Sequence, residues 1–207
     1  MLLYKTVRGR AEASQIIEKS RFITTVMPVQ TREEADRFFD EIRTKYKDAT
    51  HNVPAMVVGD KMQLQWGSDD GEPQGTSGAP IVQMLVKEGV TNVALVVTRY
   101  FGGIKLGTGG LVRAYTSSAK LGIDAAGVCG VKEMNKLLFK VDYSSFNKIQ
   151  SYQFEFEAII SDIEYGGEVS FSLAVNPEDR EKAMGIMNNL SAGTIEFTGA
   201  EDVLCKI

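Results

Sequence analysis

The spacing of hydrophobic positions changes several times along the chain, and each change marks an element. SQIIEKSRFITTVMPV (Ser14–Val29) is rich in β-branched residues and reads as one strand. Thr31 then reads as a helix N-cap. Glu34, three positions on, completes a capping box, and Ala35, Phe38, Phe39 and Ile42 recur at helical spacing, so a helix should run to about Tyr46. VPAMVVGDKMQLQWG reads as two strands joined at Gly59-Asp60. Ser68–Pro80 is polar and glycine-rich, hence loop. A short helix from about Ser77 to Lys87 follows, with Pro80 in its first turn and Ile81 and Leu85 buried. Thr91–Tyr100 is a continuous apolar run, the best candidate for a buried central strand. RYFGGIKLGTGGLVRAY (Arg99–Tyr115) leads from it into a helix from about Gly109 to Ala126. Leu111, Tyr115, Ser118, Ala119 and Gly122 share one face of that helix, where small residues allow close approach to a sheet. Arg113, Thr116, Ser117 and Lys120 share another.

The texture changes from Lys136. KLLFKVDY is strand-like, and Phe146, Ile149 and Phe154 stand at roughly helical spacing. EAIISDIEYGGEVSFSLAV is a hairpin about Gly166-Gly167. Asn176 and Pro177 open a helix as N-cap and N1, and GTIEFTGAEDVLCKI ends as strand. The order β-α-β-β-α-β in about 70 residues is that of a ferredoxin-like domain. The fold class is therefore α+β with two domains, 1–133 and 134–207, joined without a Pro/Ser-rich linker; no internal repeat is present.

Composition alters this picture little, and charge more. The 207 residues are 43% hydrophobic and 24% charged, which excludes a disordered or fibrous chain. Residues 1–134 hold 17 Lys and Arg against 15 Asp and Glu; residues 135–207 hold 6 against 12. The halves differ in sign, so any nucleic-acid partner falls to the first and a protein partner suits the acidic second. Cys129 and Cys205 form no C-x-x-C pair and read as two buried thiols. The N-terminus turns polar too soon for a signal peptide, and no apolar run approaches a membrane span, so a cytoplasmic protein is expected.

Three features could carry chemistry. In the glycine stretch, Gly102, Gly103, Gly107, Gly109 and Gly110 can expose backbone N–H groups at a helix start, and Arg99, Lys105 and Arg113 can supply charge. Lys105 is followed by Leu106, so this is no Walker A loop, and no G-x-G-x-x-G is present. An anion site and a packing-driven turn both fit the spacing. Asp69, Asp70 and Glu72 could hold a hard cation such as Mg²⁺ or perform acid–base work, or could form a turn or contact a partner. His51 is the only histidine, so no two-histidine metal site exists; a structural role and an acid–base role stay open for it. Trp66, Tyr100 and Phe101 are either loop and core anchors or platforms for bases.

SDDGEPQGTSGAPI followed by TNVALVVTRYFGGIKLGTGGLVRAY, with KSRFI and DATHN before them, resembles the signature of the IMPACT/YigZ family, densely from about Lys19 to Lys120. The two-domain plan resembles the bacterial members through the whole chain. After DATHN this chain has Val53-Pro54-Ala55-Met56 where members often have Cys-Trp-Ala-Tyr, so no role needing a Cys or aromatic side chain there carries over. The resemblance implies a first domain with the two-layer α+β fold of a ribosomal-protein second domain, and a second like the C-terminal domains of elongation factor G. It also implies a translation connection, since eukaryotic relatives interfere with activation of an initiation-factor kinase, through an extra N-terminal domain this chain lacks. The leading expectation is a non-enzymatic, translation-associated protein binding RNA or the ribosome, with Arg99, Lys105, Arg113 and Lys120 on phosphates and Trp66, Tyr100 or Phe101 on bases. The alternatives are an enzyme acting on a phosphorylated small molecule, with a carboxylate-bound metal and His51 as acid or base, and a protein-interaction module.

Overall fold

The structure, a computed structural model, describes residues 2–207 and divides into two compact units, Leu2–Val131 and Lys132–Cys205. The division falls inside one long strand, Val128–Val141, so the charge boundary coincides with no loop.

The first unit contains β1 (Leu2–Val7), β2 (Ala11–Ile17), β3 (Ser20–Pro28), α1 (Arg32–Lys45), β4 (His51–Val58), β5 (Leu64–Gly67), α2 (Gly78–Glu88), β6 (Val93–Tyr100) and α3 (Gly107–Ala126). The sheet order is β2-β3-β6-β4-β5, and each pair is antiparallel. The apolar run read as a central strand is β6, and all but its last residue are buried. Its side chains alternate between two cores. Val93, Leu95 and Val97 pack with α2 and α3, while Ala94 and Val96 pack with Phe38, Phe39 and Ile42 of α1. The unit thus has helices on both faces, three layers where the resemblance implied two.

One strand was expected over Ser14–Val29; β2 and β3 form a hairpin there. Its turn, Glu18-Lys19, holds both residues at positive φ (45° and 63°), the backbone of a two-residue hairpin turn. Glycine or asparagine normally marks such a turn, and neither is present. Thr31 caps α1 as expected, its Oγ1 accepting from Glu34 N at 3.2 Å, but Glu34 reaches back to Gln30 N rather than to Thr31 N. The small face of α3 does approach the sheet closely: a Cβ on Gly122 would lie 2.4 Å from Thr24 Cγ2.

The second unit contains β7 (Val128–Val141), α4 (Tyr143–Ser151), β8 (Ala158–Tyr165), β9 (Val169–Val175), α5 (Arg180–Leu190) and β10 (Glu196–Lys206), which is the expected β-α-β-β-α-β order. Its strands run β10-β7-β9-β8. Phe139, Phe146, Ile149, Phe171 and Met187 form its core. Asn176 and Pro177 open a single 3₁₀ turn that leads into α5. Cys129 is buried as expected, but Cys205 is only half-buried. Among the described residues no helix is long and apolar enough to cross a membrane.

Candidate functional site

The site is assembled by strand register. Antiparallel pairing sets His51, the first residue of β4, directly opposite Arg99 near the end of β6. Cross-strand partners share a face, and here it is the face covered by α3. On the other side of β6, Arg99 pairs with Phe22 of β3, and its guanidinium lies 5.4 Å from the Phe22 ring and 5.3 Å from that of Phe101.

The acidic loop closes over this pair. Asp70 and Gly71 adopt positive φ (45° and 86°), which turns the chain so that Glu72 points inward. Its Oε1 accepts from Arg99 Nη1 at 2.6 Å and from the Tyr115 hydroxyl of α3 at 2.7 Å. Both charged side chains are about 5% exposed or less. Burial, and then the Glu72 carboxylate it donates to, push the Tyr115 phenol far above its ordinary range, so it remains a donor. Arg99 Nη2 donates to Ser20 Oγ at 3.3 Å, whereas Arg99 Nε is buried without a partner among the described residues. His51 Nδ1 lies 2.7 Å from the backbone oxygen of Asp70. A carbonyl only accepts, so Nδ1 is the donor of that contact, and Nε2 lies 3.7 Å from Glu72 Oε1.

The three carboxylates do not converge. Asp69 caps α2 from a distance, accepting from Gly75 N, Ser77 N, Ser77 Oγ and Gly78 N at 2.7–3.1 Å. Partial burial alone would raise its pKa, but those four donors together hold the carboxyl below its usual range. Asp70 accepts from Asn52 N at 2.5 Å. Among the described residues no group of three His, Cys, Asp or Glu side chains is placed to hold a metal ion.

A cavity of about 440 Å³ opens beside the cluster, lined by His51, Glu72, Pro73, Arg99, Phe101 and Lys105, with Leu106, Gly107, Thr108 and Leu111 from the start of α3. No side chain caps that helix, and its first N–H groups carry the positive end of the helix dipole. The acidic loop and the glycine loop therefore share one cavity. Gly102 serves packing: a Cβ there would sit 2.0 Å from Lys19 O. Gly103 and Gly107 hold positive φ (89° and 70°) and shape the turn into α3, two residues earlier than the spacing suggested. Gly110 and Arg113 line a neighbouring groove, which shares Lys105 and Leu106 with the cavity; Gly109 lines neither.

The remaining candidates lie elsewhere. Lys120 is held by Glu88 at 3.0 Å and Asp124 at 2.9 Å, which raise its pKa. Trp66 is on the α1 face, 5.8 Å from Phe39 and with the Arg32 guanidinium 4.5 Å above its ring. Tyr100 donates to Asp48 at 2.9 Å. Of the three aromatics only Phe101 reaches the cavity. Sequence spacing places Tyr115 on the packing face alone. A phenol on an otherwise small, buried face was the available signal, because a buried hydroxyl needs a partner.

Residues 18–123 match the family model described as Impact N-terminal domain, and residues 139–194 match a domain of unknown function, DUF1949. The protein described as IMPACT family member YvyE of Bacillus subtilis (strain 168) is 37% identical over 198 residues, covering 96% of this chain and 91% of that one. IMPACT family member YigZ of Escherichia coli (strain K12) is 31% identical over 189 residues, covering 90% and 92%. A crystal structure described only as that of a hypothetical protein superposes with a TM-score of 0.59 at 28% identity, covering 96% of this chain and 97% of that one.

Proposed function

The chain belongs to the IMPACT family, and from that premise we propose that it is a non-enzymatic, translation-associated regulatory protein whose N-terminal unit binds RNA, free or in the ribosome, through phosphate. One observation carries the reading: the uncapped start of α3 and the buried Arg99, with one donor unpartnered, line the same cavity. A helix start and an arginine together form an anion site. Lys105 and Arg113 make no ion pair among the described residues, so their charge is available to an outside partner. The likeness of the two units to ribosomal-protein and elongation-factor domains belongs to this proposal, as does the translation connection of eukaryotic relatives. The test is binding to single-stranded RNA and ribosomes across a salt series. Lys105→Ala/Arg113→Ala should weaken binding and reduce the slope of log K against log salt by about 1.4 for a single strand. Unchanged binding and slope would sink the reading.

A second reading, an enzyme acting on a phosphorylated small molecule, is favoured by one observation: the two loops it required to meet share the cavity, with His51 Nε2 beside Glu72. In that form His51 works as acid or base, with any divalent metal held by the acidic loop. Turnover of a phosphate ester that is lost in His51→Gln while binding is retained would select it.

A further inference from the structure

We propose that the cavity takes a terminal phosphate, that of a nucleotide or of the 5′ end of an RNA strand, with the attached base on Phe101. This deepens the RNA-binding reading and rests on it for the anion site.

Depth is the first argument. Arg99 is 4% exposed, seated between the rings of Phe22 and Phe101 and tied to Glu72. A strand passing over the surface presents phosphodiesters with a sugar on each side, which suit the exposed Lys105 at the cavity mouth better than the deeper Arg99. A terminal phosphate has one attachment and three free oxygens, and it enters end-on. The second argument is charge. Glu72 and Arg99 cancel one another, so the positive excess at the cavity comes from Lys105 and the α3 N-terminus, about half an elementary charge. Arg99 itself lines the cavity, and its Nε has no hydrogen-bond partner among the described residues. Size and rim are the third. About 440 Å³ lies within the roughly 300–1,000 Å³ of small-molecule sites. Phe101 is 46% exposed at the cavity wall, held there by its own backbone N–H donating to Thr50 Oγ1 at 3.0 Å. An aromatic face beside a phosphate site suits a nucleobase of any identity.

The experiment uses the full chain and titrates AMP, adenosine, and one decamer RNA carrying either a 5′-phosphate or a 5′-hydroxyl. AMP should bind at least tenfold tighter than adenosine, and the 5′-phosphorylated RNA at least tenfold tighter than the 5′-hydroxyl strand. Phe101→Ala, at an exposed position where folding is checked by thermal melting, should weaken AMP about tenfold or more. Equal binding of the two RNAs overturns the inference and leaves general RNA binding standing. Tight AMP binding without RNA binding supports the terminal-phosphate site, selects free nucleotide as its source and removes the RNA reading. No binding of AMP or RNA overturns both. An AMP affinity untouched by both Phe101→Ala and Lys105→Ala overturns the placement in this cavity.

Discussion

The N-terminal unit buries an arginine, a glutamate and a tyrosine hydroxyl in one cluster, whereas the buried polar residues described in the C-terminal unit are three serines. Both have apolar cores sufficient to specify a sheet with packed helices. Desolvating an ion pair can cost as much as its attraction returns, so such a pair is weak evidence for stability. The contrast teaches where to look for function. The second unit keeps its described buried polar groups small and neutral, while the first retains a costly polar cluster at the wall of a cavity.

The largest expected effect comes from breaking the pair. Arg99→Met leaves Glu72 buried and unpaired, and should cost about 3–5 kcal/mol in denaturant unfolding of the N-terminal unit. Adding Glu72→Leu should recover much of that loss; a double variant no better than the single would show that the pair is not the source. Tyr115→Phe removes one hydrogen bond to a buried charge and should cost about 1.5–3 kcal/mol by the same measurement. Acid sharpens the comparison next. The Asp69 carboxyl sits below its usual range when folded, so its contribution is complete above the ordinary carboxylate range and is lost as pH falls through the lower folded value. Stability of the N-terminal unit should fall over that window, and Asp69→Asn, already lacking the contribution, should show a flatter acid limb in a pH series of melting curves. Smallest is Lys120→Ala. Its half-exposed pairs with Glu88 and Asp124 should be worth about 0–1 kcal/mol, and its loss should leave RNA binding unchanged.

Most elements were legible because their signals are local. Thr31 and Glu34 mark the start of α1, Pro80 marks the first turn of α2, and the small face of α3 announces close packing. The β2–β3 hairpin was hidden because Glu18-Lys19 adopts positive φ without glycine or asparagine. The third layer was hidden because β6 is apolar on both faces, and a continuous apolar run does not say which helix covers which side.

The site divides in the same way. Sequence alone determined that the chain has a glycine-rich basic loop opening a helix, an acidic turn, a single histidine and the long signature of one family, since these are properties of residue type and spacing. Only the tertiary structure decided what they do to one another. The β4–β6 register put His51 opposite Arg99, the Asp70-Gly71 turn aimed Glu72 at both Arg99 and Tyr115, and the strand alternation sent Trp66 and Tyr100 to the other face. The physical reason is that side-chain direction in a sheet has period two. A shift of one residue in pairing would exchange every facing residue, and pairing is fixed by the packing of the whole core.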